Sequence, residues 1–287
     1  MTNERIGILH PGAMGVFVAA SALRNGNSVY WVSEGRSEKT RARADQYGLL
    51  DAGSLSNLCK KCSIVISVCP PHAAEDVAFQ VLECGFEGIY VEANAISPQK
   101  VIRISGTMTA SGLTFVDGGI VGNPAWKDGE TSFYLSGEAA PAVAACFSSG
   151  SLVPYVLNTL VGTASGIKIC YGAYTKGTTA LLCTILAAAE NMGVRGELEA
   201  QWARDWPGFD EKTRMRVRRV TAKAWRFAGE MDEISETFRA VGLPGEFHEG
   251  AAEIYRRLTA FKDAETLPQL DDVLNALLLN HPSGDND

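Results

Sequence analysis

Long apolar runs are missing from this sequence of 287 residues. The most apolar stretch, residues 180–189, is too short to cross a bilayer, which takes about 20 apolar residues. Positive charge is also scarce, because 26 Lys and Arg face 33 Asp and Glu and leave a net charge of −7. These absences argue against a membrane partner and against a nucleic-acid partner, and they leave a small-molecule ligand as the expected one.

A pattern of paired cysteines or of metal ligands is missing as well. The chain has 7 cysteines, an odd number, and its polar start runs directly into the apolar residues Ile6–Leu9 without a leader segment. We therefore expect free thiols and a cytoplasmic protein. The single pair Cys59-Lys60-Lys61-Cys62 has no second pair at zinc spacing, so no bound metal is expected.

Short apolar segments alternate with helical ones over the first half of the chain. Helices are predicted over Met14–Asn25 and Glu38–Tyr47. The predicted strands are Arg5–Leu9, Ser28–Val32, Ser63–Val68, Gly88–Glu92, Thr114–Asp117, Ser132–Ser136 and Val153–Leu157. Because strand, helix and strand follow one another at this spacing, the first half is predicted to form a parallel α/β sheet.

The character of the sequence changes after Thr159, where no further strand is predicted. The stretch Ser165–Met192 lacks proline and is rich in Ala and Leu, so it predicts one long helix. Further helices are predicted over Gly196–Asp205, Glu211–Gly229, Met231–Val241, Pro244–Leu258 and Leu267–Leu279, and the polar tail 281–287 is predicted to be disordered. We expect an α/β domain over residues 1–161 and an all-α domain over residues 162–287.

A glycine turn follows the first predicted strand and precedes the first predicted helix. Its sequence is His10-Pro11-Gly12-Ala13-Met14-Gly15, against a usual pattern of G-x-G-x-x-G. Histidine replaces the first glycine, whereas Gly12 still permits close approach of a pyrophosphate and Gly15 permits close packing of the helix. The turn predicts a Rossmann dinucleotide site. Its candidate cofactor-binding residues are His10, Pro11, Gly12, Ala13 and Met14.

The end of the second predicted strand bears on which dinucleotide binds. An NAD enzyme usually has an acidic residue there, about 20 residues past the glycines, to hold the ribose 2′-hydroxyl. That position is Ser33, and Arg36 follows in the loop. A hydroxyl with an arginine suits the 2′-phosphate of NADP, whereas Glu34 would suit NAD if the strand ended one residue later. We predict NADP (NADPH) rather than NAD, with Ser33 and Arg36 in the site.

Two other predicted strands end in residues suited to a ligand. Cys69-Pro70-Pro71 follows one strand, and Asn94 follows the next. Because α/β folds bind ligands at the carboxyl ends of parallel strands, Cys69, Pro70, Pro71 and Asn94 are candidate cofactor contacts. Asn94 suits the nicotinamide ribose or amide, and it equally suits a plain turn or a helix cap.

Together these residues resemble the β-hydroxyacid dehydrogenase and 6-phosphogluconate dehydrogenase superfamily, in a branch with its own C-terminal domain. The resemblance rests on the glycine turn, on the segment Asp117-Gly118-Gly119-Ile120-Val121-Gly122 as a substrate loop at a strand end, and on residues 162–172 around Lys168. It implies a Rossmann domain, a long interdomain helix, and an all-α domain like the C-terminal one of 6-phosphogluconate dehydrogenase. It also implies a homodimer, with residues 181–189 as a candidate interface.

The resemblance further implies that Lys168 is the catalytic general acid/base of an NADP-dependent oxidoreductase. Such an enzyme transfers hydride between nicotinamide and a small hydroxy or oxo compound. The family's substrate-binding serine falls on Val121 and its asparagine on Gly172, so the substrate contacts differ here. Tyr171, Thr175 and Lys176 follow Lys168 on the same helix and offer replacements. The expected substrate-binding residues are Val121, Gly122, Asn123, Tyr171, Gly172 and Thr175.

Two other functions stay open on the sequence. An imine reductase-like enzyme has the same architecture but typically lacks the lysine, so Lys168 argues against it. A non-catalytic NADP(H)-binding sensor is compatible with the departures at His10, Val121 and Gly172.

A basic stripe lies in the second half at helical spacing, beside an apolar stripe. The basic residues are Lys212, Arg216, Arg219, Lys223 and Arg226, and the apolar ones are Val217, Val220, Ala224, Phe227 and Met231. This pattern is typical of an amphipathic surface helix, which we favour over an anion site.

Overall fold

The chain forms two compact units in the computed structural model, unit 1 (Met1–Cys170) and unit 2 (Tyr171–Asp287). The structure describes residues 3–124, 126 and 129–279, so the predicted disordered tail 281–287 lies outside the described residues. The division falls a short distance after the boundary that the sequence predicts, between residues 161 and 162.

Unit 1 is built on one sheet. Its strands are β1 (Arg5–Ile8), β2 (Ser28–Trp31), β3 (Leu50–Asp51), β4 (Ile64–Ser67), β5 (Ile89–Glu92), β6 (Thr114–Val121), β7 (Thr131–Ser136) and β8 (Leu152–Val156). The order is β3-β2-β1-β4-β5-β6-β7-β8. Strands β1 to β6 pair in parallel, β7 is antiparallel to β6, and β8 is parallel to β7. The predicted parallel α/β sheet is confirmed.

Helices of unit 1 cover the sheet. They are α1 (Ala13–Arg24), α2 (Glu38–Gln46), α3 (Leu55–Lys61), α4 (Ala74–Glu83), α5 (Pro98–Ala110), α6 (Ala140–Ala145) and α7 (Thr163–Gly172), with a 3₁₀ turn over Pro71–Ala73. The central strands are buried on both faces. In β4, Ile64 and Ile66 enter one apolar cluster while Val65 enters the other. This alternation is what a strand with a helical layer on each side requires.

Strand β3 was not predicted from the sequence, and the predicted end of β6 comes too early. The two residues of β3, Leu50 and Asp51, are both exposed, so they carry no alternating pattern that a sequence could reveal. The predicted end of β6 at Asp117 is wrong, because residues 117–121 continue the strand and pair with β7. The segment that was expected to form a loop, Asp117 to Val121, is therefore sheet.

Unit 2 is helical throughout the residues that the structure describes. After the last two residues of α7 come a π-helical stretch (Ala173–Gly177), α8 (Thr178–Asn191), α9 (Arg195–Asp205), α10 (Phe209–Ala240), α11 (Glu246–Arg257), a 3₁₀ turn (Thr259–Phe261) and α12 (Leu270–Leu279). The α/β-then-α order predicted from the sequence is thus confirmed. The long helix predicted over Ser165–Met192 is interrupted by the π-helical stretch.

Helix α10 is a single element, so the prediction of separate helices over Glu211–Gly229 and Met231–Val241 is wrong. Glycine costs about 1 kcal/mol relative to alanine in a helix interior. The burial of Ala228 and Met231 on either side of Gly229 offsets that cost. The helical apolar stripe is confirmed, since four of its residues are buried: Val217, Val220, Ala224 and Met231.

Among the described residues there is neither a membrane-spanning helix nor a cluster of metal-ligating side chains. No helix there has the length and apolar character needed to cross a membrane. No group of three or more His, Cys, Asp or Glu side chains there is arranged to hold a metal ion.

Candidate active site

The glycine turn leaves the N-terminus of α1 open. Gly12 is the N-cap of α1, no side chain caps the helix, and its first turn has no acidic residue. A Cβ at Gly12 would meet no atom within 4 Å, whereas a Cβ at Gly15 would overlap the carbonyl oxygen of His10. The helix therefore begins directly against the strand end, with its N–H groups and the positive end of its dipole facing an open space.

Two buried polar atoms without partners lie beside this open helix end. They are Nδ1 of His10 and Nε of Arg36. Burial, and then the charge of Arg36, lowers the pKa of His10 to about 4, so the imidazole is neutral at pH 7. The Arg36 side chain folds back over the end of β1 and donates from Nη2 to the Leu9 carbonyl at 3.4 Å. A buried polar atom without a partner is costly, so the Arg36 guanidinium fits an anionic dinucleotide as the group that completes it. The neutral His10 ring can donate a hydrogen bond to such a ligand or accept one from it.

A carboxylate lies next to Ser33, and it was not predicted because it belongs to β3, a strand without an alternating apolar pattern. Asp51 Oδ1 accepts a hydrogen bond from the Gly53 N–H at 2.7 Å. Although burial acts in the opposite direction, hydrogen bonds from Ser33 and Gly53 hold the pKa of Asp51 below its ordinary value. Arg41 Nη2 donates to the Ser33 carbonyl at 2.7 Å. The end of β2 thus combines a hydroxyl, two arginines and an ionised carboxylate.

Asn94 joins the ends of β4 and β5. Its Oδ1 accepts from the backbone N–H of Cys69, and its Nδ2 donates to Ser67 Oγ at 2.9 Å. The backbone N–H of Asn94 donates to Glu92 Oε1 at 3.0 Å. Only 2% of Asn94 is exposed, so these bonds describe a turn residue, and its contact with a cofactor stays a prediction. Burial raises the pKa of Cys69 to about 12, so its thiol is neutral. Pro70 and Pro71 continue this turn and lead into the 3₁₀ turn.

A second helix also begins against the sheet, and Asp117 fixes it there. The buried carboxylate accepts from Gly162 N at 2.9 Å, from Ser165 N at 3.1 Å and from Ser165 Oγ at 2.5 Å. Asp117 therefore caps the N-terminus of α7 from the neighbouring strand. Gly119 makes this approach possible, because a Cβ there would overlap the carbonyl oxygen of Ala164.

Lys168 projects from α7 to the carboxyl edge of the sheet. Its Nζ donates to the Ile120 carbonyl at 2.6 Å. Asp117 is paired with Glu92, the last residue of β5, and Ile120 lies three residues further along β6. At about 3.3 Å per residue, β6 reaches roughly 10 Å beyond the end of β5. The ammonium therefore lies beyond the strand ends, at the edge that also carries the glycine turn.

The residues predicted as a substrate loop form the end of β6 and a tight turn. Val121 is the last residue of the strand. Gly122 has φ +117°, and a Cβ there would lie 2.9 Å from the Glu130 carbonyl oxygen, so the position requires glycine. Asn123 is exposed, and its carbonyl accepts from Thr131 Oγ1 at 2.5 Å. These three residues lie close to Ile120, the carbonyl that Lys168 binds, and their contact with substrate stays a prediction.

The remaining predicted substrate residues belong to unit 2. Tyr171 is 48% exposed, and Thr175 Oγ1 donates to its carbonyl at 2.9 Å. A Cβ at Gly172 would lie 3.3 Å from Ile234 Cδ1 and 3.4 Å from Lys176 Nζ. A side chain at position 172 would therefore meet Ile234 and the head group of Lys176.

Two protein families match parts of the chain. One is described as the NAD binding domain of 6-phosphogluconate dehydrogenase, and it matches residues 5–148, about half of the chain. The other is a domain of unknown function (DUF1932), and it matches residues 189–258. The first match covers the sheet and the glycine turn, and the second covers helices of unit 2.

One relative and two solved structures add to these matches. An uncharacterized 28.5 kDa protein in the 7S RNA 5′ region of Methanothermus fervidus is 32% identical over 165 residues, which are 58% of this chain and 63% of that protein. The match thus spans less than two thirds of the relative. A conserved protein of unknown function, described as structurally similar to 3-hydroxyacid dehydrogenases, is 27% identical with a TM-score of 0.66, over 89% of this chain and 97% of that one. The 3-hydroxyisobutyrate dehydrogenase of Mycobacterium tuberculosis is 15% identical with a TM-score of 0.71, over 96% and 99%, and at that identity it shows the fold alone.

The buried Glu92 makes the stability of the fold depend on pH. Burial raises its pKa from 4.5 to about 8, so between these values the folded protein keeps a proton that the unfolded chain releases. The free energy of unfolding therefore falls as pH rises from about 5 to about 8 and levels off above that range. Glu92→Gln keeps the side chain neutral at every pH, and we expect it to remove roughly 2–4 kcal/mol of this fall.

Urea unfolding of the wild type, Glu92→Gln and Glu87→Gln at pH 5, 6, 7 and 8 measures this effect. Glu87 is exposed, and its variant serves as the control for loss of a carboxylate. Parallel curves for the wild type and Glu92→Gln across this range would show that Glu92 is ionised in the folded protein.

Proposed function

This chain belongs to the family of the 6-phosphogluconate dehydrogenase NAD binding domain, and from that premise we propose that it is an NADP-dependent oxidoreductase acting on a small hydroxy or oxo compound. The observation that carries the proposal is the position of Lys168. Its ammonium is bound to the Ile120 carbonyl at 2.6 Å, beyond the same edge of the sheet at which α1 begins at Gly12. A proton donor and a dinucleotide turn at one sheet edge suit hydride chemistry.

The residues around the glycine turn would hold the dinucleotide. The free N–H groups at the start of α1 suit the pyrophosphate, and the open space at Gly12 allows it to approach the backbone. His10 and Arg36 each have a buried nitrogen without a partner next to that space. Arg36 and Ser33 are the residues suited to a 2′-phosphate, which favours NADP over NAD. When bound, the nicotinamide supplies or accepts a hydride at carbon.

Lys168 would handle the proton that accompanies the hydride. In the direction of reduction its ammonium gives a proton to the carbonyl oxygen, and in the direction of oxidation the neutral amine removes the proton from the alcohol. The bond to Ile120 orients the head group, and the Asp117 cap fixes the helix that carries it. Neither an imine reductase-like activity nor a non-catalytic sensor requires a lysine held in this way.

The homodimer is part of this proposal on the resemblance alone, and the cytoplasmic location is part of it on the expectation of free thiols. Helix α8 carries the candidate interface, residues 181–189, and within it Leu181 is 43% exposed. An exposed leucine on a helix suits packing against a second copy, although a single one is ordinary on a protein surface.

Replacement of Arg36 tests which dinucleotide is bound. We expect wild-type protein to bind NADPH more tightly than NADH in calorimetric titrations. Arg36→Gln should weaken NADPH binding by about 1.5–3 kcal/mol, roughly tenfold to a hundredfold, because a charged hydrogen bond to phosphate is lost. NADH binding should change little. The control is Lys39→Gln, an exposed cation on α2.

Tighter binding of NADH by the wild type would contradict the preference for NADP. It would assign the ribose hydroxyls to Asp51 or Glu34, the acidic residues near the end of β2.

Replacement of Lys168 tests the acid/base role. Lys168→Met keeps the apolar stem of the side chain and removes the ammonium, so turnover should fall by about 10²-fold or more. The affinity for NADPH should stay within about twofold, since the lysine is not expected to contact the cofactor's phosphates. Turnover is followed by nicotinamide absorbance with a panel of small 3-hydroxy acids, oxo acids and aldehydes, and the exposed Lys60→Met serves as control. Equal turnover by Lys168→Met and the wild type would rule out the role.

A further inference from the structure

The short strand β3 brings a carboxylate to the end of β2. Trp31 and Asp51 are register partners in these two parallel strands. The chain stays paired beyond them, because the Ala52 N–H donates to the Trp31 carbonyl at 2.9 Å. One step further, the Glu34 N–H donates to the Gly53 carbonyl at 3.1 Å. Asp51 therefore lies beside the strand end at which a Rossmann fold recognises the adenosine ribose of its dinucleotide.

The Ser33 hydroxyl is already engaged by this carboxylate. Burial acts against ionisation of Asp51, but hydrogen bonds from Ser33 and Gly53 outweigh it and hold the pKa of Asp51 below its ordinary value. An ionised carboxylate can only accept, so the Ser33 hydroxyl gives its one proton to Asp51. The hydroxyl oxygen is left with lone pairs. It then suits a ribose hydroxyl, which donates, better than a phosphate, which accepts.

Two arginines oppose the negative charge of Asp51. Arg41 donates from Nη2 to the Ser33 carbonyl at 2.7 Å and from Nε to the Arg36 carbonyl at 3.3 Å, and its charge also acts on Asp51. Arg36 donates from Nη2 to the Leu9 carbonyl at 3.4 Å, and its buried Nε has no partner. Arg41 thus fixes the loop, whereas Arg36 keeps an unused donor. The strand end combines one guanidinium suited to a phosphate with one carboxylate suited to a hydroxyl.

We propose that Asp51 is a second determinant of cofactor choice, which opposes the 2′-phosphate of NADP and accepts a hydrogen bond from the ribose 2′-hydroxyl of NAD. Its role presupposes a dinucleotide at the start of α1 and thus rests on the proposed function. A carboxylate and a phosphate repel each other, and salt screens the repulsion because Asp51 is exposed. The preference for NADP is therefore a balance of Arg36 against Asp51, and it is smaller than Arg36 alone would give.

A role of Asp51 in the local turn accounts for its oxygen atom but not for its charge. Its Oδ1 accepts from the Gly53 N–H at 2.7 Å, and Gly53 has φ +77°. Asparagine makes such a turn equally well, because its side-chain oxygen accepts the same hydrogen bond. Asp51→Asn therefore keeps the turn and removes the charge.

Calorimetric titrations of NADPH and of NADH into the full-length wild type and Asp51→Asn test the role of the charge. We expect the variant to bind NADPH about threefold to tenfold more tightly, because the repulsion of the phosphate is lost. It should bind NADH about threefold more weakly or worse, since a neutral amide is a poorer acceptor than a carboxylate. The gain for NADPH should shrink as the salt concentration is raised.

Two other carboxylates provide matched controls. Glu34 is exposed at the same strand end, and Asp45 is exposed on α2. Glu34→Gln and Asp45→Asn should each change the ratio of the NADPH and NADH affinities by less than about twofold. Thermal unfolding of every variant without ligand confirms that it is folded.

An unchanged ratio of the two affinities in Asp51→Asn overturns the role of Asp51. A larger shift from Glu34→Gln than from Asp51→Asn also overturns it, and would assign the ribose hydroxyl to Glu34. Absence of binding of both dinucleotides by the wild type contradicts the proposed function, and the role of Asp51 with it. Binding with an unchanged ratio contradicts the role of Asp51 alone, so the two failures are distinguishable.

Discussion

Two helices of unit 1 begin closer to the sheet than a side chain would allow. A Cβ at Gly15 would overlap the His10 carbonyl oxygen beneath α1, and a Cβ at Gly119 would overlap the Ala164 carbonyl oxygen at the start of α7. In both places the obstacle is backbone, which cannot rotate out of the way as a side chain can. The first contact sets how near the N–H groups of α1 come to the strand ends, and the second sets how near Lys168 comes to Ile120. Both halves of the candidate site therefore depend on these approaches.

Asp117 shows how a buried charge can serve a site without touching a ligand. Its carboxylate accepts hydrogen bonds from Gly162 and Ser165 at the start of α7, and this cap holds the helix that carries Lys168. Burial raises the pKa of Asp117, while the hydrogen bonds from Ser165 act in the opposite direction. Glu92 is its register partner on β5 and is also buried, so the two carboxyl groups lie side by side under the sheet edge. The Asp-Gly-Gly segment therefore has a structural purpose here, a cap followed by two positions of close packing.

Local periodicity was enough to predict the parallel sheet, the glycine turn and the helical second half. The features it missed depend on contacts that are distant in the chain. Gly118 and Gly119 suggest a loop, and only their pairing with β7 makes them strand. Gly229 suggests a helix end, whereas packing on both sides keeps α10 continuous. Asp51 could not be placed beside Ser33 without β3, and nothing local marks residues 173–177 as π-helical. The inward-facing hydrogen bonds of Asn94 were foreseen only as one of two interpretations.

We propose that the start of α1 binds a nicotinamide dinucleotide at Gly12. Nothing lies within 4 Å of a Cβ at this position, and its φ of −68° is accessible to any residue. Gly12→Ala should therefore not destabilise the free protein, and only a ligand in contact with the backbone would meet the added methyl group. The direct test is a calorimetric titration of NADPH into the wild type and Gly12→Ala, with thermal unfolding of both proteins measured without ligand. We predict at least about tenfold weaker binding by the variant, the loss of roughly 1.4 kcal/mol, with no decrease in its thermal stability. Equal affinity of the two proteins for NADPH would contradict binding at the start of α1, because the dinucleotide would then bind elsewhere.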